Sequence, residues 1–323
     1  MTEYTVDYEI YVPHLKTVGN RRAGYNRLLG DITYHYSQRV LERFGLYSVN
    51  FCFFILWNEN KLDGELNREI WLKREISIKA NKPINLASNI FDGKFYKNER
   101  RDSLARNIHF FHTHGLDCRY MLIKDLHENY ELRENDNVAV QIDVEPNTGR
   151  LDKKSITLEE MNRLLIANSN GEFRNNKPLI WYETDLEHYL SQKSAGTGAL
   201  FPGDCDMMLY DHCGKCRYII EFKKCTSSGN IPVEDQSFLN YINKDRSKYI
   251  RLNILRKYFS ASEGRSIPLL NIFYPTTEER IIKIEEITLE MTVGLTYILQ
   301  IDGNAEANQE RILSSIIQHF PLE

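Results

Sequence analysis

The sequence predicts a mixed α/β protein of two domains, on three observations. Residues 4–12 alternate Tyr4, Val6, Tyr8, Ile10 and Val12 with polar neighbours, the period of a strand with one buried face. Residues 207–210 and 218–222 are short apolar, β-branched and aromatic runs flanking a polar turn that contains Gly214, which reads as a hairpin. Helical signals lie between and beyond the strands, among them Thr157-Leu-Glu-Glu160, a capping box, and a long stretch over residues 235–259. A chain of 323 residues is long enough to bury two cores.

In chain order, the first strand is followed by a helical stretch over about residues 20–44, with Arg21, Arg22 and Arg27 near its start and Gly45 at the C′ position. Residues 47–57 read as a buried strand, and residues 69–80 as a second alternating or amphipathic segment. The polar, basic residues 91–106 read as a surface loop, and His109, His112 and His114 as part of a strand and its turn. The histidine spacing fits no zinc arrangement. A further strand covers residues 138–144, closed by a Glu-Pro-Asn-Thr-Gly turn, and the capping box opens a helix running to about Ala167.

The polar stretch at residues 168–178 marks the boundary, giving an N-terminal mixed α/β domain over 1–170 and a second domain over 171–323. The second domain carries a helix at 179–192, a Gly-rich passage at 194–201, the hairpin, the helix at 235–259, and strands at 267–274 and 281–287.

The hairpin holds the residues that can do chemistry. Alternation places Asp204 and Asp206 on one face of the first strand, and Glu221 and Lys223 on one face of the second. One register sets Asp206 beside Glu221. Two carboxylates from adjacent strands make an oxygen-only site suited to Mg²⁺ with waters and a substrate phosphate. A lysine on the same face can orient or deprotonate a water and offset charge on a phosphorane-like transition state. The triplet acid-x-Lys occurs also at Glu59-Lys61, Asp92-Lys94 and Asp152-Lys154. Only Glu221-Lys223 ends an apolar strand that follows another opened by an acid.

Here the sequence resembles the PD-(D/E)XK nuclease superfamily, restriction-endonuclease-like proteins with an acid on one strand and (D/E)-x-K on the next. Asp206 matches the first element and Glu221-Phe222-Lys223 the second, while Pro202-Gly203-Asp204 interrupts the family's Pro-Asp pair. The resemblance covers the C-terminal 120 or so residues and implies an αβββαβ core. It implies that Asp206, Glu221 and Lys223 are catalytic, with Asp206 and Glu221 as metal ligands and Asp204 as second choice. It also implies that one upstream glutamate, Glu183 or Glu187, can reach the site, with Asp185 as the intervening competitor and a surface role for those that do not. Gln236 and Tyr241 stand one residue too far apart for the Gln-x-x-x-Tyr helix of one branch of these nucleases.

A formal charge of −4 excludes a globally basic nucleic-acid binder but leaves room for a local positive face. Lys244, Arg246, Lys248, Arg251, Arg256 and Lys257 cluster against Asp245 alone on the long helix, and Lys224, Lys244, Lys248 and Arg251 are the candidate phosphate contacts. A solvated basic helix face is the competing reading. Cys213-Gly-Lys-Cys216 lacks a second Cys-x-x-Cys and reads as a reduced turn. Six scattered cysteines indicate a reducing cytoplasm, residues 1–14 show no apolar leader pattern, and the longest apolar run, FCFFILW, is too short to cross a bilayer. No helicase-type phosphate loop is present.

The expectation is a Mg²⁺-dependent endonuclease of DNA, restriction-type and homodimeric, with Mn²⁺ able to substitute. The alternatives are a repair or phage-defence nuclease acting on single strands or gated by its N-terminal domain, and a nucleic-acid-binding protein on a degenerate nuclease fold.

Overall fold

The computed structural model describes residues 8–11, 38–58, 63–78, 101–125, 133–144, 150–169, 202–225, 231–275, 280–302 and 305–322. The protein is of the α/β class, its strands joined in mixed pairing with helices packed on them. The chain divides into two compact units: one gathers residues 1–16, 52–59 and 67–202, and the other residues 17–51, 60–66 and 203–323. The boundary expected near residue 170 falls at the edge of residues 170–201, which lie outside the described residues, as do the expected helix at 179–192 and the passage at 194–201.

The first unit contains β1 (Tyr8–Tyr11), the later residues of β2 (Leu46–Trp57), most of β3 (Gly64–Ile78), and β4 (Asp117–Asp125), β5 (Asn137–Val144) and β6 (Leu151–Thr157). Its strands run in the order β2, β3, β4, β5, β6, with β1 antiparallel to the end of β3. β3 and β4 are parallel, joined through the helix α2 (Arg101–Thr113), whereas β4–β5 and β5–β6 are antiparallel.

Helix α2 corrects the reading of a loop followed by a strand. Leu104, Asn107, Phe110 and Phe111 are its buried residues, a helical spacing of buried side chains that the surrounding polar sequence hides. His109 and His112 are therefore exposed helix residues, and His114 lies in the turn beyond, its Nδ1 2.8 Å from the Phe110 carbonyl. The capping box forms as expected before α3 (Leu158–Ser169): the Thr157 N–H donates to Glu160 Oε2 at 3.0 Å, and the Glu160 N–H to Thr157 Oγ1 at 3.2 Å. The Thr157 N–H first, and then Lys154, hold the Glu160 carboxyl below its usual pKa. α3 covers a core of Cys52, Phe54, Trp71, Met121, Ile123, Ala139 and Ile156.

The second unit carries α1 (Gln38–Arg43), the first residues of β2, β7 (Gly203–Asp211), β8 (Cys216–Cys225), α4 (Ile242–Glu263), β9 (Leu269–Pro275), β10 (Ile281–Ile287), β11 (Val293–Gln300) and α5 (Ala305–His319). Gly45 ends α1 with φ of 65°, a left-handed C′ that a Cβ would strain. The strand order is β11, β10, β9, β8, β7, β2. β7 and β8 are antiparallel and β8 and β9 parallel, the crossover being α4.

One face of this sheet buries Met207, Leu209, Tyr218, Ile220, Phe222, Leu270, Ile272 and Ile284 against α1 and α5. Alternation therefore turns Asp206, Ile219, Glu221 and Lys223 to the other face, where α4 packs through Tyr249, Leu252, Leu255 and Phe259. The long helix starts at Ile242 rather than near Asp235. Two 3₁₀ turns, Val233–Asp235 and Phe238–Asn240, precede it. Glu285 fastens the second turn by accepting from the Phe238 N–H at 2.8 Å and from the Ser237 hydroxyl at 3.3 Å.

Candidate active site

The β7–β8 hairpin pairs Met207 with Ile220 and Met208 with Ile219, so the next step of the ladder sets Asp206 against Glu221. This is the expected register. The turn that fixes it is organised by Asp211, whose Oδ1 accepts the N–H groups of Cys213 and Lys215, each at 2.9 Å, while Arg217 pairs with its Oδ2. Those donors hold the Asp211 carboxyl below its usual pKa against the effect of burial. Gly214 supplies φ of 71° in the same turn. Cys213 is exposed and Cys216 buried, both as free thiols.

Asp206 is locked in place: its Oδ2 accepts the Phe222 N–H at 2.8 Å from across the ladder. Asp204, two residues earlier, leaves 58% of its side chain exposed against 15% for Asp206 and 2% for Glu221. Glu221 Oε1 lies 2.7 Å from Lys248 Nζ and 3.2 Å from Lys223 Nζ. Its Oε2 is buried with no hydrogen-bond partner among the described residues. Burial, and then the charge of Asp206, raise the Glu221 pKa to about 8, against the pull of Lys248 and Lys223. Burial likewise raises Asp206, opposed by Lys248 and the Phe222 N–H.

Lys223 is held on several sides. Its ammonium lies 2.8 Å from Asp245 Oδ2 and near two aromatic rings, 5.4 Å from the centroid of Tyr241 and 5.2 Å from that of Tyr249. Tyr249 is fixed by Asn271 of β9, the register partner of Glu221, whose Nδ2 donates to the Tyr249 hydroxyl at 2.9 Å. Tyr241 donates to Gln236 at 2.9 Å, so these two residues meet despite their spacing. Burial disfavours the Lys223 charge, but Glu221, Tyr249 and Asp245 outweigh it and raise the pKa.

Sequence reasoning passed over Asp245, Tyr249 and Asn271. The sole signal was that Asp245 is the one acid in a basic run. The helix is irregular at this residue, with φ of −108° and ψ of 18°.

The other sequence candidates distribute unevenly. Lys248 is brought into the acids, at 3.2 Å from Asp204 Oδ2, 3.8 Å from Asp206 Oδ1 and 2.7 Å from Glu221 Oε1. Arg251, one turn further on α4, is desolvated, which lowers its pKa, and feels the opposing attraction of Asp204. Lys244 is exposed in the first turn of α4, and Lys224 falls by alternation on the sheet face opposite Lys223. Arg256 is no part of a phosphate-facing surface. It is buried, donating to the carbonyls of Ile287 and Thr288 and to Asn253. Glu183 and Glu187 lie outside the described residues.

Among the described residues, no group of three or more His, Cys, Asp or Glu is close enough to hold a metal by itself. The three acids stand around an ammonium, at distances wider than the roughly 2.1 Å of a Mg²⁺–oxygen bond. Two carboxylates nevertheless suffice for Mg²⁺, which keeps several waters and takes further oxygens from a substrate phosphate. Asp206 and the orphaned Oε2 of Glu221 fit that donor set.

No known family matches the chain, and no curated protein matches it. A solved structure, the crystal structure of the sex pheromone staph-cAM373 precursor, aligns over 93% of this chain and 99% of that one at 7% identity, with a TM-score of 0.18. So weak a likeness carries no argument about fold or function.

Proposed function

We propose that the chain is a Mg²⁺-dependent endonuclease that hydrolyses phosphodiester bonds in DNA, with a restriction-type enzyme acting as a homodimer as the leading form. Mn²⁺ would substitute. The reading rests on one observation: Asp206 and Glu221 converge from adjacent strands, with a buried carboxylate oxygen lacking a partner among the described residues and a clamped lysine alongside. Asp206 and Glu221 would hold the cation, which when bound would supply Lewis acidity at the scissile phosphate and a positioned, polarised water whose proton leaves to solvent as it attacks.

The protein's own residues do the rest. The Phe222 N–H fixes the Asp206 carboxylate, and Asn271 and Tyr249 brace the floor beneath Glu221 and Lys223. Lys223, surrounded by Glu221, Asp245 and two rings, stays protonated, so it orients the phosphate and offsets the charge growing on it instead of acting as a base. A cytoplasmic location is part of the proposal, supported by six cysteines that form no disulfide among the described residues. Among the described residues no helix is long and apolar enough to cross a membrane.

One observation favours the non-enzymatic reading. Lys248 already neutralises the acids, so the site can meet phosphate without a cation. Incubating the protein with duplex DNA, single-stranded DNA and RNA, each with Mg²⁺, Ca²⁺ or EDTA, separates the two. Cleavage of DNA is expected with Mg²⁺, with little in Ca²⁺, whose longer coordination positions water poorly, and none in EDTA. Binding without cleavage in every arm would leave the binding protein, and undiminished cleavage in EDTA would remove the metal mechanism.

A further inference from the structure

The exposed strand residues Leu295 and Ile298, the buried Lys283–Glu285 pair and the free thiols each have a structural explanation or no identifiable occupant. Lys248 is different. It comes from α4, opposite the hairpin, and its ammonium contacts Asp204, Asp206 and Glu221 at 3.2, 3.8 and 2.7 Å. A lysine ammonium is a compact point charge on a flexible four-carbon stem. This one sits among the carboxylates that would hold a divalent cation, yet leaves Glu221 Oε2 without a hydrogen-bond partner among the described residues. A dication placed among these carboxylates would compete with the Lys248 ammonium for the same oxygens and repel it at such distances. Arg251, the next basic residue along α4, also feels Asp204, so this helix side presents positive charge to the mouth of the site.

We propose that Lys248 is a displaceable internal counter-ion: it holds Asp204, Asp206 and Glu221 together until a divalent cation binds, then swings out to contact a phosphate oxygen of the substrate strand. The inference rests on the metal-site reading above and deepens it. It turns a helix lysine into the link between metal loading and substrate capture, because the charge released from the acids becomes available to the nucleic acid.

Mn²⁺ binding to the full-length protein, measured by calorimetry or by electron paramagnetic resonance without nucleic acid, tests it. K248M is expected to bind Mn²⁺ more tightly by about tenfold, the scale of coupling between two ligands competing for one site. K248R, which keeps the charge, is expected to stay close to wild type. In Ca²⁺, K248M should also bind DNA with a salt slope smaller by about one counterion.

A second measurement needs no variant. Acylation of lysines followed by peptide mass mapping should show Lys248 protected in metal-free protein and reactive once Mn²⁺ is added, with exposed Lys215 as the internal reference. Equal Mn²⁺ affinity in wild type and K248M, or Lys248 reactivity that ignores the metal, overturns the displacement while leaving the metal site standing. Absence of Mn²⁺ binding by wild type and K248M alike removes the metal-site reading and this inference with it.

Discussion

Asp204 and Asp206 share a strand face, but they differ in how firmly they are held. Asp206 accepts a backbone N–H across the ladder at 2.8 Å and is mostly covered, whereas Asp204 is mostly exposed and meets the site through Lys248. A ligand must be placed to within a fraction of an ångström, which favours the restrained side chain. In single-turnover cleavage at saturating Mg²⁺, Asp206→Ala and Glu221→Ala are expected to lose all measurable activity with the fold intact. Lys223→Ala should lose about 10²–10³-fold, the scale for removing one transition-state donor, and still bind metal. Asp204→Ala should retain partial activity. A dead Asp204→Ala beside an active Asp206→Ala would reverse the assignment. Glu183→Gln and Glu187→Gln, if both leave the rate intact, would confine the acids to the hairpin.

At the scale of elements, the hairpin was legible because its determinants are local: a polar turn with Asp211 and Gly214, and alternation that assigns every face at once. The capping box before α3 was legible for the same reason. α2 was not, since His109-Phe110-Phe111-His112 imitates a strand while the helical period depends on Leu104 and Asn107 within a charged stretch. β6 was missed because Lys153, Lys154 and Ser155 give it no alternation, and its pairing with β5 comes from the neighbouring strand. The roles of Lys248, Asp245 and Arg256 were hidden because one helix distributes its basic residues among acids, solvent and carbonyls according to which of its sides meets the sheet. That division is testable. Arg256→Ala leaves the Ile287 and Thr288 carbonyls without their charged donor and opens a gap under α4, so urea unfolding should show a loss of about 2–4 kcal/mol. Lys257→Ala, on the exposed side of the same turn, should stay within about 0.5 kcal/mol. Equal effects would contradict the buried placement of Arg256.

For the whole molecule, the buried acids set how stability depends on pH. Burial raises the pKa of Asp206, Glu221 and, in the other unit, Glu69, the last opposed by its contacts with Trp71 and Arg119. A raised acid binds more protons folded than unfolded, so its contribution is complete below the unfolded pKa and is lost as pH rises through the folded one. For Glu221 that window runs from the ordinary glutamate value of 4.5 to about 8. Asp211 and Glu160 act in the opposite sense, because their lowered pKa values keep their contribution above the unfolded value and forfeit it in stronger acid. Lys223 and Lys248, both raised, lose theirs only above the ordinary lysine value of 10.5. The metal-free protein should therefore be most stable near pH 5 and melt at progressively lower temperature towards about pH 8, by several degrees if the site contributes on the order of 2 kcal/mol. Thermal unfolding across that range in EDTA measures it. Glu221→Gln, which cannot ionise, should flatten the decline. Mg²⁺ should restore the melting temperature at pH 8 but not at pH 5, where protons hold the carboxyls it needs. A melting temperature that stays level or rises between pH 5 and 8 in EDTA would mean that Lys223 and Lys248 already hold Glu221 ionised at neutral pH.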